Sequence, residues 1–108
     1  MILPIPMALL WAVEASRLER VPLEWPELQR LFKREVGTYY PTSRHTTTRN
    51  PRSTAYGLGQ FLNSTWRGTG IAKTNDPIMQ IRGIYRYCKR RYGSVAKALA
   101  FHRRRGFY

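Results

Sequence analysis

One glutamate has the surroundings that acid catalysis needs. Leu28, Leu31, Phe32 and Glu35 follow at spacings i, i+3, i+4 and i+7, which places them on one face of a helix. A carboxyl group that continues an apolar stripe is partly desolvated, and desolvation raises its pKa. A carboxyl group that stays protonated near neutral pH can act as a general acid. The spacing therefore predicts Glu35 as a proton donor, with a helix-end glutamate paired to a neighbouring arginine as the alternative.

A long polar loop and a glycine-rich turn follow Glu35. Residues 38–54 are rich in Thr, Ser, Arg and Asn without periodicity, which predicts a loop, and Tyr39 within it could stack on a sugar ring or pack beneath the loop. The turn reads Tyr-Gly-Leu-Gly-Gln-Phe over residues 56–61. One acid facing an aromatic, amide-bearing turn across a loop predicts a cleft for a neutral polymer such as a glycan.

Helical signals account for the rest of the chain. Residues 5–20 are predicted to form a buried helix whose apolar side carries Met7, Leu10 and Trp11, broadened by Leu9 and Val13. Gly37 is placed to end the helix that carries Glu35, and Asp76-Pro77 to begin a helix that reaches about Tyr92. A last helix begins after Ser94. Because no segment alternates with a period of two, the predicted class is all-α.

Composition favours one folded domain over residues 1–108 and a polyanionic partner. The chain is 43% hydrophobic, and its formal charge is +13 from 19 basic and six acidic residues. Such a charge suits nucleic acid, an anionic membrane surface or an anionic wall polymer. Nucleic acid is the less favoured partner, because the basic residues are spread over several elements and no known DNA-reading motif is present. Cys88, the single cysteine, is predicted to be a small buried residue.

Several chemistries lack the residues they need. The histidines, Cys88 and the acids show no metal-ligand spacing, and Gly57-Leu58-Gly59 lacks the third glycine of a dinucleotide loop. A second carboxylate for conventional glycoside hydrolysis is hard to place, since the other acids belong to helix 1, to the start of helix 2 or to a helix cap. We therefore expect no metal and no cofactor, and a glycan-cleaving site that works with one carboxyl group.

The N-terminal segment is predicted to stay outside a membrane. Its apolar run from Met7 to Val13 is too short to span a bilayer, and the first basic residue, Arg17, comes too late for a secretory signal. Extracellular work would then require delivery by something else. For a glycan-cleaving enzyme without a secretory signal, we expect a bacteriophage protein that is carried in the virion or released to the host cell envelope.

Five short motifs in matching order carry a resemblance to a known family. They are Glu35-Val36-Gly37, the turn at residues 56–61, Ser64-Thr65-Trp66, Asp76-Pro77 with Gln80-Ile81, and Phe101-His102 with Gly106-Phe107-Tyr108. Over residues 20–108 the chain resembles the soluble lytic transglycosylase group of the lysozyme-like superfamily. The resemblance implies a small lysozyme-like helical domain whose cleft binds a peptidoglycan glycan strand, with other virion proteins as further partners.

The resemblance also implies a mechanism and a set of site residues. Glu35 would protonate the oxygen between N-acetylmuramic acid and N-acetylglucosamine, and then act as a base on the 6-hydroxyl group, with assistance from the substrate acetamido group. Gln60 matches the glutamine of the family's Gly-Leu-Met-Gln motif, whose amide faces the cleft. Tyr56 and Trp66 would line or brace the sugar sites.

The chain departs from the family pattern at two positions beside the acid. Val36 stands where the family usually has serine, and Phe101 stands where a tyrosine often donates a hydrogen bond to the glutamate. His102 would then be a substitute polar group, or an ordinary helix-end histidine. These departures motivate two alternatives: a weakly active or inactive lysozyme-like component of a virion, and a hydrolytic lysozyme.

Overall fold

The computed structural model describes residues 4–105, and within them the chain forms five α-helices. These are α1 (Met7–Glu19), α2 (Trp25–Val36), α3 (Asn63–Thr69), α4 (Pro77–Arg91) and α5 (Val95–Arg105), and a 3₁₀ helix, Ser43–Thr47, lies in the loop after α2. In this range β structure is limited to isolated bridges of Tyr56 with Arg49 and with Phe61. The predicted all-α class is confirmed. None of the described helices is long and apolar enough to cross a membrane.

Helix α4 is the central element of the core. It begins as predicted, with the Asp76 side chain accepting a hydrogen bond from the Met79 N–H group at 3.1 Å and Pro77 in the first turn. Ile81 and Ile84 are fully buried, and α1, α3 and α5 all pack against this helix. Cys88 is fully buried there as well, and burial raises the pKa of its thiol to about 12. Its predicted role as a small core residue is confirmed.

Helix α1 packs on the core through a different face from the one predicted. Its buried residues are small: Ala8, Ala12, Ala15 and Ser16. The expected inward residues Met7, Leu10 and Val13 are 58%, 48% and 44% exposed, while Trp11 is partly buried against the core. Small side chains allow two helix axes to approach closely, and this close packing against α4 selects the alanine face over the larger residues.

The end of α1 is fastened to α4 by an ion-pair network. The Glu19 carboxylate accepts hydrogen bonds from Arg82 Nε at 2.7 Å and from Arg86 Nε at 2.9 Å. Burial by itself would raise the pKa of Glu19, but the hydrogen bonds from Arg86 and Arg82 together outweigh burial and lower that pKa below its usual value. Glu19 is therefore a structural acid.

Helix α5 begins at two side-chain caps. Ser94 Oγ accepts the Lys97 N–H group at 3.0 Å, as the sequence predicted for an N-cap. The Glu24 carboxylate, from the segment before α2, accepts the N–H groups of Val95 at 2.9 Å and Ala96 at 3.1 Å. A carboxylate at a helix N-terminus is favoured by the helix dipole, so Glu24 joins the starts of α2 and α5.

Two segments differ from their predicted boundaries. The loop that follows α2 contains the 3₁₀ helix, whose start is fixed by His45 Nδ1 accepting the Thr42 N–H group at 2.9 Å. The Ser64-Thr65 pair predicts the opening of a short helix, but α3 begins at Asn63 without a side-chain cap, so both residues lie inside it. The start of the 3₁₀ helix depends on a hydrogen bond that residue types alone do not specify.

Candidate functional site

Glu35 lies in the last turn of α2, where the sequence placed it. Leu28, Leu31 and Phe32 on the same stripe are fully buried, whereas Glu35 is half-buried at the helix end. Gly37 ends the helix in the left-handed conformation, at φ 85°, and its N–H group donates to the Lys33 carbonyl at 3.1 Å. The carboxyl group thus sits at the boundary between core and solvent, the position that a general acid requires.

The C-terminal part of α5 lies beside this end of α2. Arg34 Nη2 contacts His102 Nε2 directly, which brings His102 next to the residue that precedes Glu35. Phe101 is half-buried and packs on Tyr92 with ring centroids 5.1 Å apart. Two residues that the resemblance implied, Phe101 and His102, therefore lie on the helix that packs against α2. The remaining motif at Gly106-Phe107-Tyr108 lies outside the described residues.

Tyr39 lies against the outer side of α2. Its backbone carbonyl accepts a hydrogen bond from Gln29 Nε2 at 3.4 Å, and Lys33 Nζ lies 5.5 Å from its ring centroid. The ring is 48% exposed, which leaves surface for stacking on a ligand.

Gln60 holds the glycine-rich turn together from within. Its backbone has φ 50°, in the left-handed region. Its side-chain Nε2 donates to the carbonyl of Thr48 at 2.9 Å and to that of Gly57 at 2.8 Å. The amide nitrogen therefore joins the long loop to the turn, which is a structural role.

Tyr56 and Trp66 are mainly buried. Tyr56 is 9% exposed, with Arg49 Cζ and Lys73 Nζ each 5.1 Å from its ring centroid. Trp66 is 3% exposed and makes an edge-to-face contact with Phe61 at 5.8 Å. Among the described residues its indole N–H has no hydrogen-bond partner. Of the two roles expected for these rings, lining or bracing, their burial favours bracing.

The structure adds Gln80, for which no structural role was predicted. Its side chain is 1% exposed, and its Oε1 accepts the Leu58 N–H group at 3.0 Å. Its Nε2 donates to the carbonyls of Thr46 and Thr74, both at 2.8 Å. One buried amide thus joins the turn, the 3₁₀ helix and the segment before α4. Its position four residues before the buried Ile84 was the available signal, because a polar residue on a core stripe must find partners.

Gly57 and Gln80 fit together closely. Gly57 has φ +82°, and a Cβ at this position would lie 2.5 Å from Gln80 Nε2. Only glycine meets both requirements, the left-handed backbone and the lack of space. The Gly-Leu-Gly motif is therefore explained by packing against α4.

Each of the other five acids has a structural or surface partner. Glu14 pairs with Arg17 at 2.5 Å, and Glu27 with Arg30 at 4.0 Å, each within one helix. The remaining three are engaged by the contacts described above: Glu19 with α4, Glu24 with the start of α5, and Asp76 as the cap of α4. Within residues 4–105 no group of three His, Cys, Asp or Glu side chains could hold a metal ion.

The structure does not bring the predicted site residues into one cluster. His102 contacts α2 through Arg34, Phe101 packs on Tyr92 between α5 and the end of α4, and Gln60 lies on the turn that α4 supports. The long loop contacts both α2, at Tyr39, and Gln60, at Thr48. No family model matches this chain, and neither a curated protein nor a solved structure is significantly similar to it.

Proposed function

We propose that this protein cleaves the glycan strand of peptidoglycan as a lytic transglycosylase, with Glu35 as the acid and then the base. The observation that carries the proposal is the position of Glu35, half-buried in the last turn of α2 at the end of a fully buried apolar stripe. The five motifs shared with the transglycosylase group support the same reading. The proposed setting is the virion or the host cell envelope.

The proposed reaction needs one carboxyl group. The Glu35 carboxyl donates its proton to the oxygen between N-acetylmuramic acid and N-acetylglucosamine, and the bond from C1 to that oxygen breaks. The substrate's acetamido oxygen bonds to C1 in its place. The Glu35 carboxylate then accepts the proton of the 6-hydroxyl group, whose oxygen attacks C1 and displaces the acetamido oxygen. The product is a 1,6-anhydro sugar, and Glu35 is protonated again.

The experiment is mass spectrometry of peptidoglycan digests made with the unmutated protein and with Glu35→Gln. We expect anhydro ends from the unmutated protein and at least a 100-fold loss of product from Glu35→Gln, in the range that general acid–base groups contribute. Glu27→Gln is the matched control, because Glu27 lies on the same helix and pairs at the surface with Arg30. Equal activity of Glu35→Gln and Glu27→Gln would refute the role of Glu35. Reducing ends in place of anhydro ends would identify a hydrolytic lysozyme.

One observation favours a second candidate, a weakly active or inactive structural component of a virion. The Gln60 amide nitrogen donates to two backbone carbonyls, so its hydrogen atoms are committed to the fold. In addition, Val36 and Phe101 offer no hydroxyl group beside Glu35. The absence of sugar products from folded, unmutated protein would favour this candidate, as would virion assembly that survives Glu35→Gln.

A further inference from the structure

A basic groove runs along the side of the molecule formed by α3, α4 and α5. A cavity of about 830 Å³ lies between α3 and the C-terminal half of α4. A second cavity, of about 440 Å³, lies between the end of α4 and α5. Arg91 lines both, so the two cavities are neighbours, and we refer to them together as the α4 groove.

The charged residues that line the α4 groove are all basic. They are Arg86, Lys89, Arg90, Arg91, Lys97 and Arg104, and no aspartate or glutamate lines the groove. Arg86 is paired with Glu19. In the described part of the chain, none of the other five has a carboxylate within ion-pair distance. Six of the 19 basic residues thus line one groove.

Aromatic rings form part of the walls, and contacts hold two of the arginines in place. The Arg91 guanidinium carbon lies 5.9 Å from the Tyr87 ring centroid and 5.7 Å from that of Tyr92. Arg90 Nη1 donates to the Gly68 carbonyl at 2.7 Å. Side chains that are already ordered lose less conformational freedom when a ligand binds. The groove therefore presents positioned cations beside flat apolar surfaces.

We propose that the α4 groove binds single-stranded nucleic acid, independently of the glycan-cleaving site. Charge complementarity requires a polyanion, and the combination of a basic groove with aromatic rings is the arrangement that holds single strands. Phosphates would lie against Lys89, Lys97 and Arg104, and bases would stack on the Tyr87 and Arg91 surfaces. A duplex hides its base faces, and a polyol phosphate of the cell wall has none, so both fit the groove less well.

The first test compares two variants that each remove three positive charges. Lys89→Gln/Lys97→Gln/Arg104→Gln changes exposed residues of the groove, and Arg44→Gln/Arg52→Gln/Arg67→Gln changes exposed residues elsewhere. Binding to a fluorescent 15-nucleotide oligo-dT is measured by anisotropy across a salt series, on samples whose melting temperatures match. We expect the groove variant to bind at least tenfold more weakly, with a log–log salt slope smaller by about 2, because each lost contact on a single strand changes the slope by about 0.7. Equal losses in the two variants would overturn the proposal.

The second test varies the ligand on the unmutated protein. We expect oligo-dT to bind more tightly than an abasic strand of the same length, a duplex of the same length or a glycerol phosphate polymer of the same charge. Equal or tighter binding of any of these three would overturn the proposal, since it would show charge attraction without base contacts. Glu35→Gln is expected to bind oligo-dT like the unmutated protein, so the result does not depend on the proposed enzyme activity.

Discussion

The glycine-rich turn and the C-terminal end of α2 are built in opposite ways. The turn rests on a buried amide, Gln80, that makes three hydrogen bonds of 2.8–3.0 Å to backbone groups from three segments. The end of α2 instead lies at the surface, where Arg34 meets His102 and Glu35 is half-buried. Fully satisfied buried polar groups specify one conformation, whereas half-buried titratable groups at a surface are candidates for proton transfer.

Two glutamates at helix ends show the same difference. Glu19 is the last residue of α1, and two arginines of α4 hold its carboxylate with a lowered pKa. Glu35 is the residue before the end of α2 and is half-buried there. Helix position alone does not separate a structural acid from a candidate catalytic one. For Glu19, the contacts with α4 decide it.

The largest effect should come from removing the buried amide. Gln80→Leu leaves the Leu58 N–H group and the carbonyls of Thr46 and Thr74 without their partner, and each unsatisfied buried group costs about 1–3 kcal/mol. We expect the free energy of unfolding, measured by urea denaturation, to fall by about 3 kcal/mol or more. Gln29→Leu, which loses one 3.4 Å bond near the surface, is the control and should change it by less than about 0.5 kcal/mol. Similar losses would contradict the contrast between the two regions.

Two glycines with nearly the same backbone angle allow a closer comparison. Gly57 and Gly37 have φ +82° and +85°, but a Cβ at Gly57 would lie 2.5 Å from Gln80 whereas one at Gly37 meets nothing within 4 Å. Gly37→Ala should therefore cost only the left-handed backbone strain, about 1 kcal/mol. Gly57→Ala adds displacement of a hydrogen-bonded side chain, for a total of about 2–3 kcal/mol. Thermal unfolding of both variants measures the difference. Equal losses of stability would show that the turn accommodates the added Cβ without strain.

A smaller, pH-dependent effect is expected at Glu19. Its pKa is lowered in the folded protein from the usual 4.5, so its contribution to stability is present above pH 4.5 and is lost as the pH falls through the folded-state pKa. Glu19→Gln should lower the free energy of unfolding by about 1 kcal/mol at pH 7, and this deficit should shrink in acid. A deficit that does not change between pH 7 and pH 3 would mean that the carboxylate charge contributes nothing.

The smallest change in stability should be at Glu35. Glu35→Gln keeps the shape of a half-buried side chain at a helix end, and we expect the free energy of unfolding to change by less than about 1 kcal/mol. The same variant should lose the proposed activity on peptidoglycan, so Glu35→Gln should affect activity more than stability, and Glu19→Gln should affect stability more than activity. A stability loss larger than that of Glu19→Gln would place Glu35 among the structural acids.

Local signals in the sequence predicted the helical class and the helix that carries Glu35. Asp76-Pro77 began α4, Gly37 ended α2, and Ser94 capped α5, because capping depends on residues within one turn. The same local information failed for α1. Large apolar residues suggested its buried face, but close packing on α4 selected Ala8, Ala12 and Ala15.

By itself, the sequence determined which segments are helical, where α2 and α4 end or begin, and that Glu35 continues an apolar stripe. These properties follow from periodicity and capping, which act over a few residues. Only the tertiary structure decided that Gln80 holds the turn, that Glu24 caps α5 and that Arg34 meets His102. It also brought six basic residues of α4 and α5 to one groove. Those outcomes depend on which segments pack together, and contacts between residues 22 to 72 positions apart leave no local pattern in the chain.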